Sequence, residues 1–461
     1  MRSGLTGALC AGQALFNKTN VLLPEVVKAL FFGLVFVNII HMLDIKFIRE
    51  NKAIIKEAAR KKLSDFDVEA LLEADDKRIE LVSEVDNLRA KQNEASNKIS
   101  QIKDEAERDN LIEQMKEVKT LREAKEDELK QVMEVWKNLL LKVPNIPDIS
   151  VPEGKDDSEN QEIKIWGDRP KFEFVPKGHV ELMTNLKLAD FERGVKVAGF
   201  RGNFLKNEAV LLSMAVWQHA LKIALEDGFT PLIPPILDRP ENFMGTGYLP
   251  DGEEDLYKTQ DNDYLAGTAE VPTMGYYFDE ILPHDRLPFK FVAFSPCYRR
   301  EAGSHGKDTQ GLIRLHEFYK VEQVVLCEAK HEESVDWHEK LLANAERFMQ
   351  DLKIPYRVVV NCSGDLGQGQ VKKYDIEAWV PSEGKFRETH SISYFHDFQA
   401  RRLNTRYRDV DGKLRFVHSL NGTLVASPRI LVPLIENFQQ ADGSILVPEV
   451  LRPYLGKDVI K

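Results

Sequence analysis

FSPCYRREAGSHGKDTQGLIRLHEFYKVEQ, residues 294–323, packs Arg299, Arg300, Glu301, Arg314, His316, Glu317, Lys320 and Glu322 into two short segments around a glycine-bearing polar link. Apolar runs flank them, FVAF at 291–294 and VEQVVL at 321–326, which is the pattern of two strands and a turn. Arginine presents a rigid fork of donors that matches phosphate or carboxylate. Arg299 and Arg314 on facing strands would clamp a polyphosphate. Side chains alternate along a strand, so Glu301 shares a face with Arg299, and Phe318 shares one with Arg314. Glu301 would then accept from a base amine, and Phe318 would stack on a purine. A salt-bridged surface hairpin with a core phenylalanine accounts for the same charges. The charge pattern alone supports both readings.

Outward from this stretch, short β-branched or aromatic runs succeed one another: FKFVAFS, YKVEQVVL, YRVVVNC, YDIEAWVP and ISYFHDF. Turn residues separate them and few helices intervene, which argues for an antiparallel sheet. A helical pattern over 207–226 leads into a proline-rich strand, GFTPLIPPI at 228–236. Neither a Gly-x-Gly-x-x-Gly after a strand nor a Gly-x-x-x-x-Gly-Lys-Ser/Thr occurs, so neither common phosphate loop holds a nucleotide here.

Before this block, residues 68–142 are organised by period. Positions 71, 74, 78, 81, 85, 88, 92, 95, 99 and 102 step by three and four and are mostly apolar, a coiled-coil seam. KDEAERDN at 103–110 interrupts it. A second run carries Leu111, Met115, Val118, Leu121, Leu129, Val132, Val135 and Leu139 on its apolar side, and the prolines of KVPNIPDISVP (142–152) end it. The fold class is therefore α+β: an antiparallel helical hairpin, each helix roughly 50 Å long, then a domain built on an antiparallel sheet flanked by helices. A dimerisation coiled coil and an arm reaching a distant part of a large ligand both fit the period.

The chain has 461 residues and a net charge of −11, enough length for two or three cores. Its acidity excludes a globally basic coat protein for nucleic acid and leaves room for a local basic face. Cys10, Cys297, Cys327 and Cys362 form no Cys-x-x-Cys pair, so no zinc cluster or disulfide framework is expected, and a reducing cytoplasmic location is. ALFFGLVFVNII at 29–40 is too short to span a membrane and lacks a signal-peptide cleavage site. Residues 1–41 are read as a non-native or disordered extension before a functional start at Met42, with a membrane anchor as the disfavoured alternative. Residues 42–150 form the arm domain and 151–461 the catalytic domain.

CYRREAGS, the turn and GLIRLHEFYKVE resemble the second signature of class II aminoacyl-tRNA synthetases, in the bacterial-type version of the seryl-tRNA synthetase family. Other pieces follow in that family's order. GFTPLIPPI resembles the first signature, with Pro234 and Pro235. YLAGTAEVP (264–272) resembles its amino-acid-binding loop. RETHSISYFHDFQARR (387–402) resembles its Glu-x-x-Ser segment, and SLNGTLVASPRILVPLIENFQQADGSILVPEVLRPYLG (419–456) its third signature and ending. The resemblance covers 42–461 and includes the arm.

That resemblance implies ATP-dependent activation of L-serine to seryl-adenylate and transfer of the seryl group to the 3′ end of tRNA(Ser), with tRNA(Sec) as a further candidate. Neither step demands an enzyme nucleophile, so catalysis is positioning and charge neutralisation. By motif match, Arg299 bridges the serine carboxylate and the α-phosphate, and Arg429 covers adenine opposite Phe318; these two arginines are the catalytic candidates. Thr268, Ala269, Glu270, Arg299, Glu322, Asn421 and Thr423 are the serine-binding candidates. Arg299, Arg300, Glu301, Arg314, Phe318, Glu388, Thr389, His390, Ser391 and Arg429 are those for ATP. Glu388 and Ser391 hold a phosphate-bridging Mg²⁺; no zinc is expected. His316 and His390 are read as structural within these segments, because the mechanism needs no histidine base. The family also implies a homodimer through its first signature and no membrane. Its arm reaches the tRNA, with Arg78, Arg89, Lys91, Lys98, Lys116, Lys119 and Arg122 as candidate phosphate contacts.

The chain departs from the family at Thr389–His390, at Leu424 where the third signature usually has glycine, and at Pro428 and Pro433. Pro433 would remove a backbone donor and kink a helix. Three rivals fit less well. A catalytically dead relative would have lost Arg299 or Arg429, a carrier-protein ligase would lack the arm, and a purely structural coiled coil leaves 160–461 unexplained.

Overall fold

The computed structural model describes residues 43–304, 306 and 308–461; the extension expected at 1–41 lies outside them. Two short helices, α1 (Ile45–Glu50) and α2 (Lys52–Lys61), bury Ile48 and Ile55. The arm follows as α3 (Val68–Ile99) and α4 (Glu105–Leu141). Each begins on an aspartate cap: Asp67 accepts from the N–H groups of Glu69 and Ala70, and Asp104 from that of Glu107. The second helix therefore starts inside KDEAERDN rather than after it, because Asp104 caps it there.

Cross-helix pairs run in opposite order on the two helices. Lys77 meets Glu128, Glu84 meets Lys125, and Gln92 meets Arg122, so the hairpin is antiparallel. The nine seam positions on α3, and Ile102 just beyond it, are buried or half-buried. On α4 the reading shifts. Leu121 and Val135 are 50% and 54% exposed, while Arg122, Lys125 and Trp136 occupy the seam. Long cationic stems cover apolar surface while their heads find partners: Arg122 Nη1 donates to Gln92 at 2.8 Å, and Lys125 bonds Glu84 at 2.9 Å. A search for apolar residues alone slides off such a stripe.

The second body is an eight-stranded sheet. Its strands are β1 (Gln161–Trp166), β2 (Thr230–Leu232), β3 (Phe289–Tyr298), β4 (Glu317–Cys327), β5 (Tyr356–Val360), β6 (Lys372–Val380), β7 (Lys385–His396) and β8 (His418–Ser427). Their order is β1-β5-β6-β7-β8-β4-β3-β2, antiparallel throughout except for the parallel edge pair β2–β3. The prolines at 231, 234 and 235 shorten β2 and suit it to the edge. Helices α5 (Glu208–Glu226) and α6 (His331–Asp351) supply Leu212, Val216, Leu341 and Phe348 to a core shared with Val321, Val325, Ile392, Leu420 and Leu424. Strand alternation sends Phe318, Lys320 and Glu322, Thr389, Ser391 and Ser393, and Asn421 and Thr423 to a different surface, where they line one pocket. No described helix is long and apolar enough to cross a membrane.

Candidate active site

The two strands of the opening stretch end sooner than their charges suggest. β3 stops at Tyr298 and β4 begins at Glu317, so Arg299, Glu301 and Arg314 lie on the turn and alternation does not place them. Glu301 instead adopts a left-handed backbone, φ 56°. It accepts from Arg314 Nη1 at 2.5 Å. His316 closes the hairpin: Arg299 N–H donates to its carbonyl, and its Nδ1 lies 3.0 Å from the Arg299 carbonyl.

A cavity of about 200 Å³ opens over β4, β7 and β8. At one end is a buried polar network. Lys320 Nζ donates to Thr268 Oγ1 at 2.7 Å and pairs with Glu322 Oε2 at 2.8 Å. Thr423 Oγ1 donates to the same carboxylate at 3.2 Å. Glu270 accepts from Gln399 Nε2 at 2.6 Å and from the Tyr248 hydroxyl at 3.1 Å. Burial pushes the Glu270 carboxyl up to about 7, helped by the Glu322 charge and opposed by the Gln399 donor. Asn421 lines the same end.

At the other end, the Arg299 guanidinium lies 5.3 Å from the Phe318 ring centroid, and its Nε donates to the Gly267 carbonyl at 3.2 Å. Arg429 donates from Nε to the Ile313 carbonyl at 2.8 Å, and its Nη1 stands 3.6 Å from Glu388 Oε1. The half-exposed Glu388 carboxylate and Ser391 share this wall. Behind them is buried Asp375, which bonds Ser391 and accepts from Asn361 Nδ2 at 2.7 Å. Burial raises its pKa to about 6 against the pull of Lys373. Its Oδ1 has no hydrogen-bond partner among the described residues.

The cavity thus gathers Thr268, Glu270, Arg299, Glu301, Phe318, Glu322, Glu388, Thr389, Ser391, Asn421, Thr423 and Arg429. Arg314 lines an adjoining cavity. Three candidates are elsewhere. Arg300 is exposed, and its N–H donates to the Asp255 carbonyl. Ala269 is buried outside the lining. His390 alternates away from Thr389 and Ser391 into the core, where its Nε2 donates to the Leu424 carbonyl at 3.1 Å. Burial holds its pKa down at about 4, so it is a neutral core group that meets another departure residue, Leu424. Pro433 is the third residue of α7 (Leu431–Asn437), where a missing N–H forfeits no intrahelical bond.

Sequence reasoning passed over Tyr248, Lys320, Gln370, Asp375, Ser393 and Gln399. Lys320 carried a usable signal, two residues from Glu322 on one strand face. Gln399 stood inside the quoted Asp-Phe-Gln-Ala-Arg-Arg segment.

Residues 42–147 match the family model of the seryl-tRNA synthetase N-terminal domain, and residues 255–438 that of the tRNA synthetase class II core domain (G, H, P, S and T). The chain is 49% identical over 416 residues to a serine--tRNA ligase of Deinococcus radiodurans, covering 90% of this chain and 98% of that one. It is 45% identical over 428 residues to that of Clostridium tetani, covering 91% and 100%. Its fold is similar to the crystal structure of seryl-tRNA synthetase from Pyrococcus horikoshii complexed with ATP, with a TM-score of 0.82 and 40% identity over 91% of this chain and 99% of that one. It is also similar to cytoplasmic serine-tRNA ligase from Naegleria fowleri in complex with AMP, with a TM-score of 0.77 and 30% identity over the same shares.

Proposed function

Because the chain belongs to the seryl-tRNA synthetase family, we propose that it activates L-serine with ATP and transfers the seryl group to tRNA(Ser) in the cavity between Glu270 and Arg429. A serine carboxylate oxygen attacks the α-phosphorus. The bond to the bridging oxygen breaks, and pyrophosphate leaves with that electron pair. Arg299 neutralises charge where carboxylate and α-phosphate meet, and Phe318 and Arg429 sandwich the adenine. Glu301 accepts from the adenine amine, and Arg314 turns to the outer phosphates. In the second step a ribose hydroxyl of the tRNA attacks the seryl carbonyl, and AMP departs.

The Thr268–Lys320–Glu322–Thr423 network beside Glu270 carries the serine assignment. Glu270 receives the substrate ammonium. Glu322 and Thr423, held by Lys320, receive the hydroxyl. A buried site built to bond a hydroxyl rejects an analogue without one, because its own polar groups go unpaired. Serine-dependent exchange of pyrophosphate into ATP tests this: strong exchange with serine and weak exchange with alanine, glycine and threonine is expected. Preference for any of the three overturns the assignment.

Glu388 and Ser391 offer oxygen donors facing the cavity, which suits a hard dication that also takes phosphate oxygens. A Mg²⁺ held there would neutralise phosphate charge. The arm (42–150) carries the tRNA and 151–461 the chemistry, in the cytoplasm. Six of the seven candidate arm cations are in ion pairs, with Asp75, Asp86 or Glu126, Glu94, Glu113, Glu123 and Glu126; among the described residues Lys91 has no carboxylate partner and meets phosphate without rearrangement. Leu211 and Met214 of α5 and Ile233 beyond β2 are exposed. This apolar face at the first signature supports a two-fold homodimer.

A further inference from the structure

Four successive carbonyls in the catalytic body, those of residues 367–370, are all taken by groups from the root of the arm. Lys62, just after α2, donates from Nζ to Gly367 O at 3.0 Å, Gln368 O at 2.8 Å and Gln370 O at 2.6 Å. Asn145, just after α4, donates its backbone N–H to Gln368 O at 2.9 Å, and its Nδ2 to Gly369 O at 3.0 Å and Phe395 O at 2.8 Å. In return Gln368 Nε2 donates to the Leu141 carbonyl at 2.8 Å. An ammonium has three N–H bonds, and three carbonyls use all of them. Lys62 is buried and pairs with no carboxylate among the described residues. Burying a cation is costly unless each of its donors finds an acceptor, and here all three do. Among the described residues the loop closes on itself only through Gln370, whose N–H donates to the Gly367 carbonyl at 3.1 Å, and the arm-root donors hold the remaining carbonyls in place.

The far side of the loop faces the chemistry. Gln370 Oε1 accepts from the Gly367 N–H at 2.7 Å, its Nε2 donates to Ser393 Oγ at 2.8 Å, and it lines the serine cavity. Residues 367–370 also wall a second cavity of about 490 Å³, which meets the first at Tyr248, Glu270, Arg299 and Glu301. A ribose hydroxyl attacking the seryl carbonyl needs an approach not filled by the adenylate, and this second cavity opens beside the serine end.

We propose that Lys62 is a positioning residue for seryl transfer: through the 367–370 carbonyls it fixes the wall past which the RNA 3′ end reaches activated serine, and so ties the root of the arm to the chemistry. The inference rests on the tRNA-charging function proposed above. It separates the half-reactions, because activation needs no group from the arm whereas transfer needs the wall in place.

The test is Lys62→Met, which keeps the stem and removes the donors, with Asn145→Ala as a second variant. Serine-dependent pyrophosphate exchange is measured for each, alongside single-turnover transfer from preformed seryl-adenylate to tRNA(Ser), both per active site. Exchange is expected to stay within about threefold, and transfer to fall by about tenfold or more, as misplacement of a reacting group predicts. Equal losses in both half-reactions, or no loss in transfer, overturn the inference. If Lys62→Met does not fold, the same split is required of Asn145→Ala, and its absence there overturns the inference equally. An unaltered chain without serine-dependent exchange overturns the proposed function itself; normal exchange and transfer in the unaltered chain with no split in the variants overturns only the role of Lys62.

Discussion

Glutamine at position 270 separates a charge from a shape. The Glu270 carboxyl is buried, accepts from Gln399 and Tyr248, and is pushed up to about 7 from an ordinary 4.5. The ammonium of serine is attracted by the ionised form alone. A raised pKa means that the useful form is lost as pH falls through about 7 and gained as pH rises through it. About one carboxyl in ten is ionised one unit below that value and about nine in ten one unit above it. The KM for serine in pyrophosphate exchange should therefore fall roughly tenfold between pH 6 and pH 8 and then level off. Glu270→Gln removes that titration, so its serine KM should be flat across the window. At about pH 8 it should exceed that of the unaltered chain by roughly 10- to 150-fold, the loss of one hydrogen bond to a charged group worth about 1.5–3 kcal/mol. The KM for ATP should change little, since Glu270 lies in the buried polar network at the end of the cavity away from Phe318 and Arg429. A pH-independent serine KM in the unaltered chain, or a Glu270→Gln variant that keeps the ordinary KM, refutes the reasoning.

Arg299→Lys should cut exchange by about a hundredfold with the fold intact, because a point charge cannot span carboxylate and phosphate as the guanidinium does; near-normal exchange with a native circular dichroism spectrum contradicts that role. Leu211→Asp combined with Ile233→Asp should convert a dimer to a monomer in sedimentation at micromolar concentration, and a monomeric unaltered chain would count against the apolar face as an interface. Deleting residues 75–135 and closing the gap with a short flexible linker should leave exchange within about threefold and abolish charging, since distal phosphate contacts are lost. Equal loss of both activities in a folded protein, or loss of neither, contradicts the division between arm and catalytic body.

The sheet was legible because β4 and the strands around it are continuous β-branched and aromatic runs, and their alternation correctly separates Val321 and Val325 from Lys320 and Glu322. It misled where the strands stopped. Arg299 and Glu301 owe their positions to a turn and a left-handed residue, which no period announces. The arm was legible on α3, whose seam is apolar, and blurred on α4, where Arg122 and Lys125 hold seam positions by their stems. Within the candidate site, the motif residues came together apart from neighbours such as Ala269 and His390, which backbone direction turns into the core. Tyr248 and Gln370 left no local sign, because each reaches the cavity from a distant loop through contacts that exist only in the folded chain. Lys62 is the extreme case: in sequence it is one more lysine after a helix, and its meaning depends on carbonyls some 300 residues away.

The most direct measurement is the charging of a tRNA(Ser) transcript with labelled serine and ATP by the purified chain. Label should enter acid-precipitable RNA only when serine, ATP and tRNA(Ser) are all present. It should be released by mild alkali, as an ester is, and should be absent with a transcript lacking its 3′ terminal adenosine. Charging that proceeds equally with alanine or threonine, or pyrophosphate exchange without any ester formed on the tRNA, would contradict the account.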